Sequence, residues 1–207
     1  MFVIALAAFV VNTAGTGSTD TLSVTFTGGG LSSTNLDGVT KFETLKSATN
    51  VATGAIVLPN AFFASTVSGT LIFAANTTTV VTLDASAETN ASITLTTGGG
   101  ADVLVASSST YGDNISSGGG DDSITVGAAN LSSTDTINGG DGNDTLTVGA
   151  GTTLTDSAFT NVSNIEYFAF GTGTNSLVVG SAFQSAGALT ITGGAGDDSI
   201  TIGSGVT

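Results

Sequence analysis

Thirteen aspartates and three glutamates are the side chains of this 207-residue chain whose type and spacing suggest chemistry, and many of the aspartates stand in glycine-rich turns. The chain has no His and no Cys, which removes the commonest general base, the thiol nucleophile and most zinc sites. No Gly-x-Ser-x-Gly elbow raises a serine nucleophile. What remains is oxygen chemistry directed at a hard cation. A nine-residue pattern, Gly-Gly-x-Gly-x-Asp-x-apolar-x, occurs in full at residues 139–147 and 193–201 and more loosely at 97–105 and 117–125.

Ca²⁺ takes six to eight oxygens, from carboxylates and backbone carbonyls, at about 2.3–2.6 Å. Glycine reaches positive φ without a Cβ clash, so such a turn can aim carbonyls inward while the Asp in sixth place supplies charge. Asp102, Asp122 and Asp144 form one series of sixth-place residues, with Asp113 and Asp135 falling between them. Intervals of 20 or 22 residues (102 to 122, 122 to 144, 113 to 135) predict a coil of two strands and two turns. The first series then stacks on one edge and the second on the opposite edge.

Two Ca²⁺ sites are expected on the glycine edge, between the turns of Asp102 and Asp122 and between those of Asp122 and Asp144. Their ligands would come from Gly98, Gly100, Asp102, Gly118, Gly120, Asp121, Asp122, Gly140, Asp141, Gly142, Asn143 and Asp144. A weaker site would join Asp113 and Asp135. Gly194, Gly196, Asp197 and Asp198 open a further stack, whose turn is expected to bind Ca²⁺ only when a second chain or further residues complete it. A single acidic glycine turn is ordinarily a solvated β-turn held by local hydrogen bonds. Three in register argue for metal, because bare carboxylates would repel one another across the roughly 5 Å between strands.

The elements that must position these turns are short strands. Thr79–Leu83, Ser92–Thr96, Ser123–Val126, Thr145–Val148 and 189–192 alternate apolar with small polar residues at period two, the apolar set facing a core. A longer repeat relates residues 20–73 to 144–191: Leu31, Leu36, Val39, Phe42 and Glu43 match Leu154, Phe159, Val162, Ile165 and Glu166. The expected fold is all-β, a parallel β-solenoid (β-helix or β-roll). It divides into an N-terminal module (1–92), a calcium-binding stack (93–148), and a second copy of the module that ends in the start of another stack (149–207). Short helical turns are expected around 33–43, 60–65 and 156–164. Glu43 and Glu166 read as carboxylates that cap a turn or bond between coils, and Phe62, Phe63, Tyr167, Phe168, Phe170 and Phe183 as core. The apolar run 1–11 is too short to span a membrane, which takes about 20 residues, and reads as a buried strand.

A net charge of −14 with only Lys41 and Lys46 as cations excludes nucleic acid as a partner, since phosphate neutralisation needs Lys and Arg. The Asp-Thr-Leu-x-Val strand at 144–148, the Phe-Glu-Thr-Leu and Ile-Glu-x-Phe strands at 42–45 and 165–168, and the Gly-Gly-x-Gly-x-Asp turns together resemble the RTX-type calcium-binding repeat proteins. Among these the likeness is to bacterial RTX surface-layer proteins. The resemblance implies export by a type I system, an extracellular or cell-surface location, folding on meeting millimolar external calcium, and assembly into a calcium-stabilised lattice. The expected function is therefore structural and non-enzymatic: self-association into a surface layer, sheath or filament, with cell-surface polysaccharide as a further partner. The alternatives are a calcium-dependent adhesin or ice-binding module, for which Thr94/Thr96, Thr145/Thr147 and Thr190/Thr192 supply hydroxyls, and a viral fibre or shell protein.

Overall fold

The structure, a computed structural model, describes residues 21–24, 44–47, 56–58, 69–73, 78, 80–128, 130–187 and 190–207. The apolar run 1–11, Glu43, Phe62, Phe63 and the helical turns expected at 33–43 and 60–65 lie outside the described residues.

All strand pairing among the described residues is parallel, and from Thr44 to Val148 successive strands alternate between two sheets. The first sheet runs in the order β1 (Thr21–Val24), β2 (Thr44–Ser47), β4 (Gly69–Phe73), β6 (Ile93–Thr96), β8 (Asn114–Ser116), β10 (Thr136–Asn138) and β13 (Val162–Ser163). The second holds β3 (Ile56–Val57), β5 (Thr82–Asp84), β7 (Val103–Val105), β9 (Ser123–Val126), β11 (Thr145–Val148), β14 (Tyr167–Phe170) and β16 (Thr190–Thr192). A third, shorter sheet holds β12 (Thr153–Leu154), β15 (Ser176–Val179) and β17 (Ser199–Ile202). The fold is a parallel β-solenoid, as the alternating pattern predicts. Among the described residues its coil has two faces from β2 through β11 and three from β12 onward.

Registration without slippage turns the period-two pattern into a core. Leu95, Ile115, Ile137 and Val162 stand in one column of the first sheet. Leu83, Leu104, Ile124, Leu146 and Phe168 form the matching column of the second, and every one of these residues is buried. Each such side chain contributes about 1.5–3 kcal/mol of burial. A one-residue slip would turn a whole column to solvent, so the apolar set specifies the register that brings the acidic turns together.

The third face opens where aromatic residues enter. Phe159 packs edge-on against Phe168 and Phe183 at centroid separations of 5.3 and 4.6 Å, and Phe168 against Phe170 at 5.0 Å. The helical turn expected at 156–164 is a 3-10 turn over Asp156–Phe159 only, because Val162 then pairs with Ile137 as a strand. One coil on, where the first sheet would continue beyond β13, the chain forms α1 (Ser181–Ala186); the Ile165 N–H donates to the Ala186 carbonyl at 3.0 Å. Asp156, from the coil before, caps that helix by accepting the N–H groups of Gly180, Ala182 and Phe183 at 2.8–3.1 Å.

Candidate metal centre

Three turns carry the chain from the first sheet to the second at residues 97–102, 117–122 and 139–144, and they lie directly over one another. Gly140 has φ of +101° and a Cβ on it would overlap the Gly118 carbonyl; Gly118, at +99°, stands in the same relation to Gly98. Only glycine satisfies both the positive φ and the close approach. The Gly119 N–H donates to Gly98 O and the Asp141 N–H to Gly118 O, each at 2.9 Å, and so the turns are joined by backbone as well as by shape.

The sixth-place carboxylates point inward and bond up the stack. Asp102 Oδ1 accepts the Val81 N–H at 2.7 Å, Asp122 Oδ1 the Asp102 N–H at 2.7 Å, and Asp144 Oδ1 the Asp122 N–H at 2.8 Å. Glu166 ends the series, its Oε2 accepting the Asp144 N–H at 2.8 Å. Asp102, Asp122 and Asp144 therefore share one edge, as their spacing predicts, and Glu166 bonds between coils as expected. All three aspartates are buried, at 0–2 % exposure. The second oxygen of each, Oδ2, is buried with no hydrogen-bond partner. The Thr97 and Ser117 hydroxyls lie beside Asp102 and Asp122 and pull those carboxyls down, but their hydrogens point to main-chain carbonyls: Thr97 donates to Ser117 O and Ser117 to Gly139 O, both at 2.7 Å.

A stranded carboxylate oxygen costs about 1–3 kcal/mol or more, and two things relieve it: a proton or a cation. Burial pushes Asp122 up to about 6, against the pull of the Asp102 N–H and the Ser117 hydroxyl, and the charges of Asp102 and Asp144 add to the rise. Asp102 and Asp144 are also raised, chiefly by burial. Among the described residues no three carboxylates converge on one point, so a cation here would take one or two carboxylates and complete its shell from turn carbonyls. That donor set is the hard, all-oxygen kind that suits Ca²⁺. The orphaned Oδ2 atoms fit such an ion; the residues that would hold it are Asp102, Asp122 and Asp144 with carbonyls of the 97–101, 117–121 and 139–143 turns.

The other predicted residues are placed as follows. Asp121, Asp141 and Asn143 are exposed on the outside of the stack, where the Asn143 N–H donates to Asp121 Oδ1 at 2.9 Å. Asp113 and Asp135 do share the opposite edge, joined by the Asp113 N–H and Asp135 Oδ1 at 2.8 Å. Both oxygens of each already hold protein donors. Asp113 accepts from the Ile93 and Ser107 N–H groups and the Ser107 hydroxyl. Asp135 accepts from the N–H groups of Asp113 and Ser132 and from the Ser132 hydroxyl. Burial pushes Asp113 up to about 6 despite those donors, with the Asp135 charge adding to it. Unlike the three aspartates of the glycine edge, neither Asp113 nor Asp135 has a carboxylate oxygen without a protein donor.

Gly194, Gly196 and Asp198 fall on a third corner, between β16 and β17. A Cβ on Gly194 or Gly196 would overlap the carbonyl of Gly171 or Gly173, so this turn stacks on residues 171–175 and not on the Asp144 turn. Asp197 is exposed. The partner turn, Gly171-Thr-Gly173-Thr-Asn175, has two of the repeat's three glycines, with Asn in sixth place and Phe170 in first. That Asn for Asp exchange kept it out of the pattern, although Leu177 at the eighth place was a usable signal.

The fold and this corner define a parallel β-solenoid with an acid-lined glycine edge. Family models, curated proteins and solved structures gave no match to the chain.

Proposed function

We propose that the chain is a calcium-dependent structural β-solenoid that assembles into an extracellular layer, sheath or filament. The observation that carries the calcium half is the vertical series of three buried, unpartnered Oδ2 atoms on one edge. Bound there, Ca²⁺ would supply the positive charge that a chain of net −14 lacks. The protein's own part is to hold the carboxylates in line through the Oδ1 to N–H ladder, which orients each Asp before any ion arrives, and to exclude water from Oδ2 by burial.

The assembly half rests on β17. Ile200 and Ile202 are 44 % and 65 % exposed on a strand that has a neighbour on one side among the described residues. A further coil, from a second copy or from additional chain, would add a parallel strand there by main-chain hydrogen bonding. Among the described residues no helix is long and apolar enough to cross a membrane.

A second reading is favoured by one register. Thr21, Thr44, Thr70, Thr94, Asn114 and Thr136 stand in a single column of the first sheet. Repetition of threonine at five of these six positions, at strand spacing, would suit an ice-binding or glycan-binding face. Electron microscopy and size-exclusion chromatography with 5–10 mM Ca²⁺ and again with chelator separate the two, at concentrations around the upper range for extracellular sites. Ordered arrays that dissolve on chelation support the structural reading. A calcium-loaded monomer that inhibits ice growth or retains a glycan refutes it in favour of the second.

A further inference from the structure

The corner formed by residues 171–175 and 193–198 repeats the architecture of the glycine edge with one atom changed. Asn175 is 1 % exposed, and its Oδ1 accepts the Thr152 N–H at 3.1 Å, the role that Oδ1 of Asp102, Asp122 and Asp144 plays elsewhere. Its second side-chain atom is a nitrogen where those aspartates carry the orphaned Oδ2. That Nδ2 lies 3.1 Å from Gly171 O, 3.0 Å from Gly173 O, 3.5 Å from Gly193 O and 2.8 Å from Asp198 Oδ1. The partners fix the amide's orientation, since a main-chain donor faces one atom and four oxygens face the other. Asp198 Oδ1 also accepts the Asn175 N–H at 3.1 Å.

We infer that the Asn175 amide stands in for a cation, so that this corner is closed without metal, and that Asn against Asp in sixth place decides which corners of the solenoid need Ca²⁺. Three carbonyls and a carboxylate drawn from two successive turns are the oxygen types a hard cation takes. Here a neutral NH₂ with two donors occupies the space among them. Neither side-chain polar atom of Asn175 is stranded, and Asp198 finds its counter-dipole within the chain. Replacing Asn175 by Asp would turn Nδ2 into an oxygen facing four oxygens, leave it without a donor like the Oδ2 atoms of the glycine edge, and create a cation site. The statement about which corners need metal rests on the calcium reading of the glycine edge; the statement about Asn175 does not.

Hydrogen exchange on the full wild-type chain, with 5 mM Ca²⁺ and with chelator, tests the first part, and Asn175→Asp tests the second. In the wild type, amides of 152–154 and 175–179 should keep their protection on chelation while those of 102–105 and 122–126 lose at least about tenfold. Loss of tenfold or more at 175–179 in the wild type overturns the inference. With both regions unchanged on chelation, the calcium reading falls and the inference about Asn175 stands on the variant. Asn175→Asp should lose protection at 152–154 and 175–179 in chelator, regain it with Ca²⁺, and bind one more Ca²⁺ per chain by isothermal titration. A variant as protected as wild type in chelator, with no added site, overturns it. Should the variant fail to fold even with Ca²⁺, Asn175→Ala supplies the arm: it should lose corner protection that Ca²⁺ does not restore, and restoration by Ca²⁺ would overturn the amide's role.

Discussion

Asp122→Asn should change sign with calcium. Asp122 is the middle rung of the glycine edge, 2 % exposed, with Oδ1 on the Asp102 N–H and Oδ2 unpartnered. The Asn variant keeps an oxygen for the Asp102 N–H and replaces the stranded Oδ2 by a donor, as Asn175 does at the third corner. In chelator at pH 7 the wild type bears the cost of an ionised, buried group whose pKa stands at about 6 against an ordinary 3.8. Two units are worth about 3 kcal/mol at the upper limit, and an unsatisfied buried acceptor costs about 1–3 kcal/mol. The variant should therefore be more stable without calcium by about 1–3 kcal/mol, or roughly 2–12 °C in melting temperature for a chain this size. With calcium the order reverses, because the wild type gains linkage free energy that the variant loses; at a hundredfold excess over Kd that is about 2.7 kcal/mol per site. Thermal melts of both proteins in chelator and in Ca²⁺ read the crossing directly. If the variant melts lower than the wild type by the same amount in both buffers, Oδ2 is no metal ligand and the reasoning fails.

Acid should stabilise the metal-free chain. Asp113 and Asp122 have folded pKa values near 6 against 3.8 unfolded, so the folded state holds the extra protons; their contribution is fully present below about 3.8 and lost as pH rises through 6. Urea titrations in chelator at pH 4 and pH 7 should show the higher midpoint at pH 4, and a lower one there would contradict the burial of these carboxylates. Gly140→Ala puts a Cβ onto the Gly118 carbonyl at a φ of +101°; it should cost more than about 2 kcal/mol by chemical denaturation, and a cost under 0.5 would show the turns are not stacked. Asp156→Ala removes the carboxylate that caps α1 from the preceding coil; about 1–2 kcal/mol should be lost, with exchange protection falling at 180–186 and unchanged at 122–126.

The two-edged stack was legible because its signal is an interval. Asp102, Asp122 and Asp144 recur at the length of one coil, and the alternating Ile and Leu positions between them fix which side faces in. The third face was not legible, because it depends on how Phe159, Phe168, Phe170 and Phe183 fill space between coils, which a linear pattern does not encode. α1 is six residues long, too short for helical periodicity to stand out. Asn175 was not legible because its turn departs from the repeat at two places, Phe170 in first and Asn175 in sixth, although replacing one carboxylate oxygen by NH₂ leaves the shape intact and inverts the need for a cation.

The glycine edge also has ends, and they set how many ions it can hold. Below Asp102 the ladder meets the Val81 N–H, a backbone donor that brings no second carboxylate. Above Asp144 it meets Glu166, whose longer side chain reaches the same kind of N–H but is part-exposed, so water reaches what the protein leaves unbonded. Among the described residues orphaned oxygens arise only at the three levels between, and three levels enclose two gaps. Isothermal titration of the full chain should accordingly count two Ca²⁺ on this edge, and Glu166→Gln should leave that number unchanged while Asp122→Asn, which borders both gaps, lowers it. A count that survives Asp122→Asn but falls with Glu166→Gln would move the ions to the top of the ladder and away from the buried oxygens that argue for them.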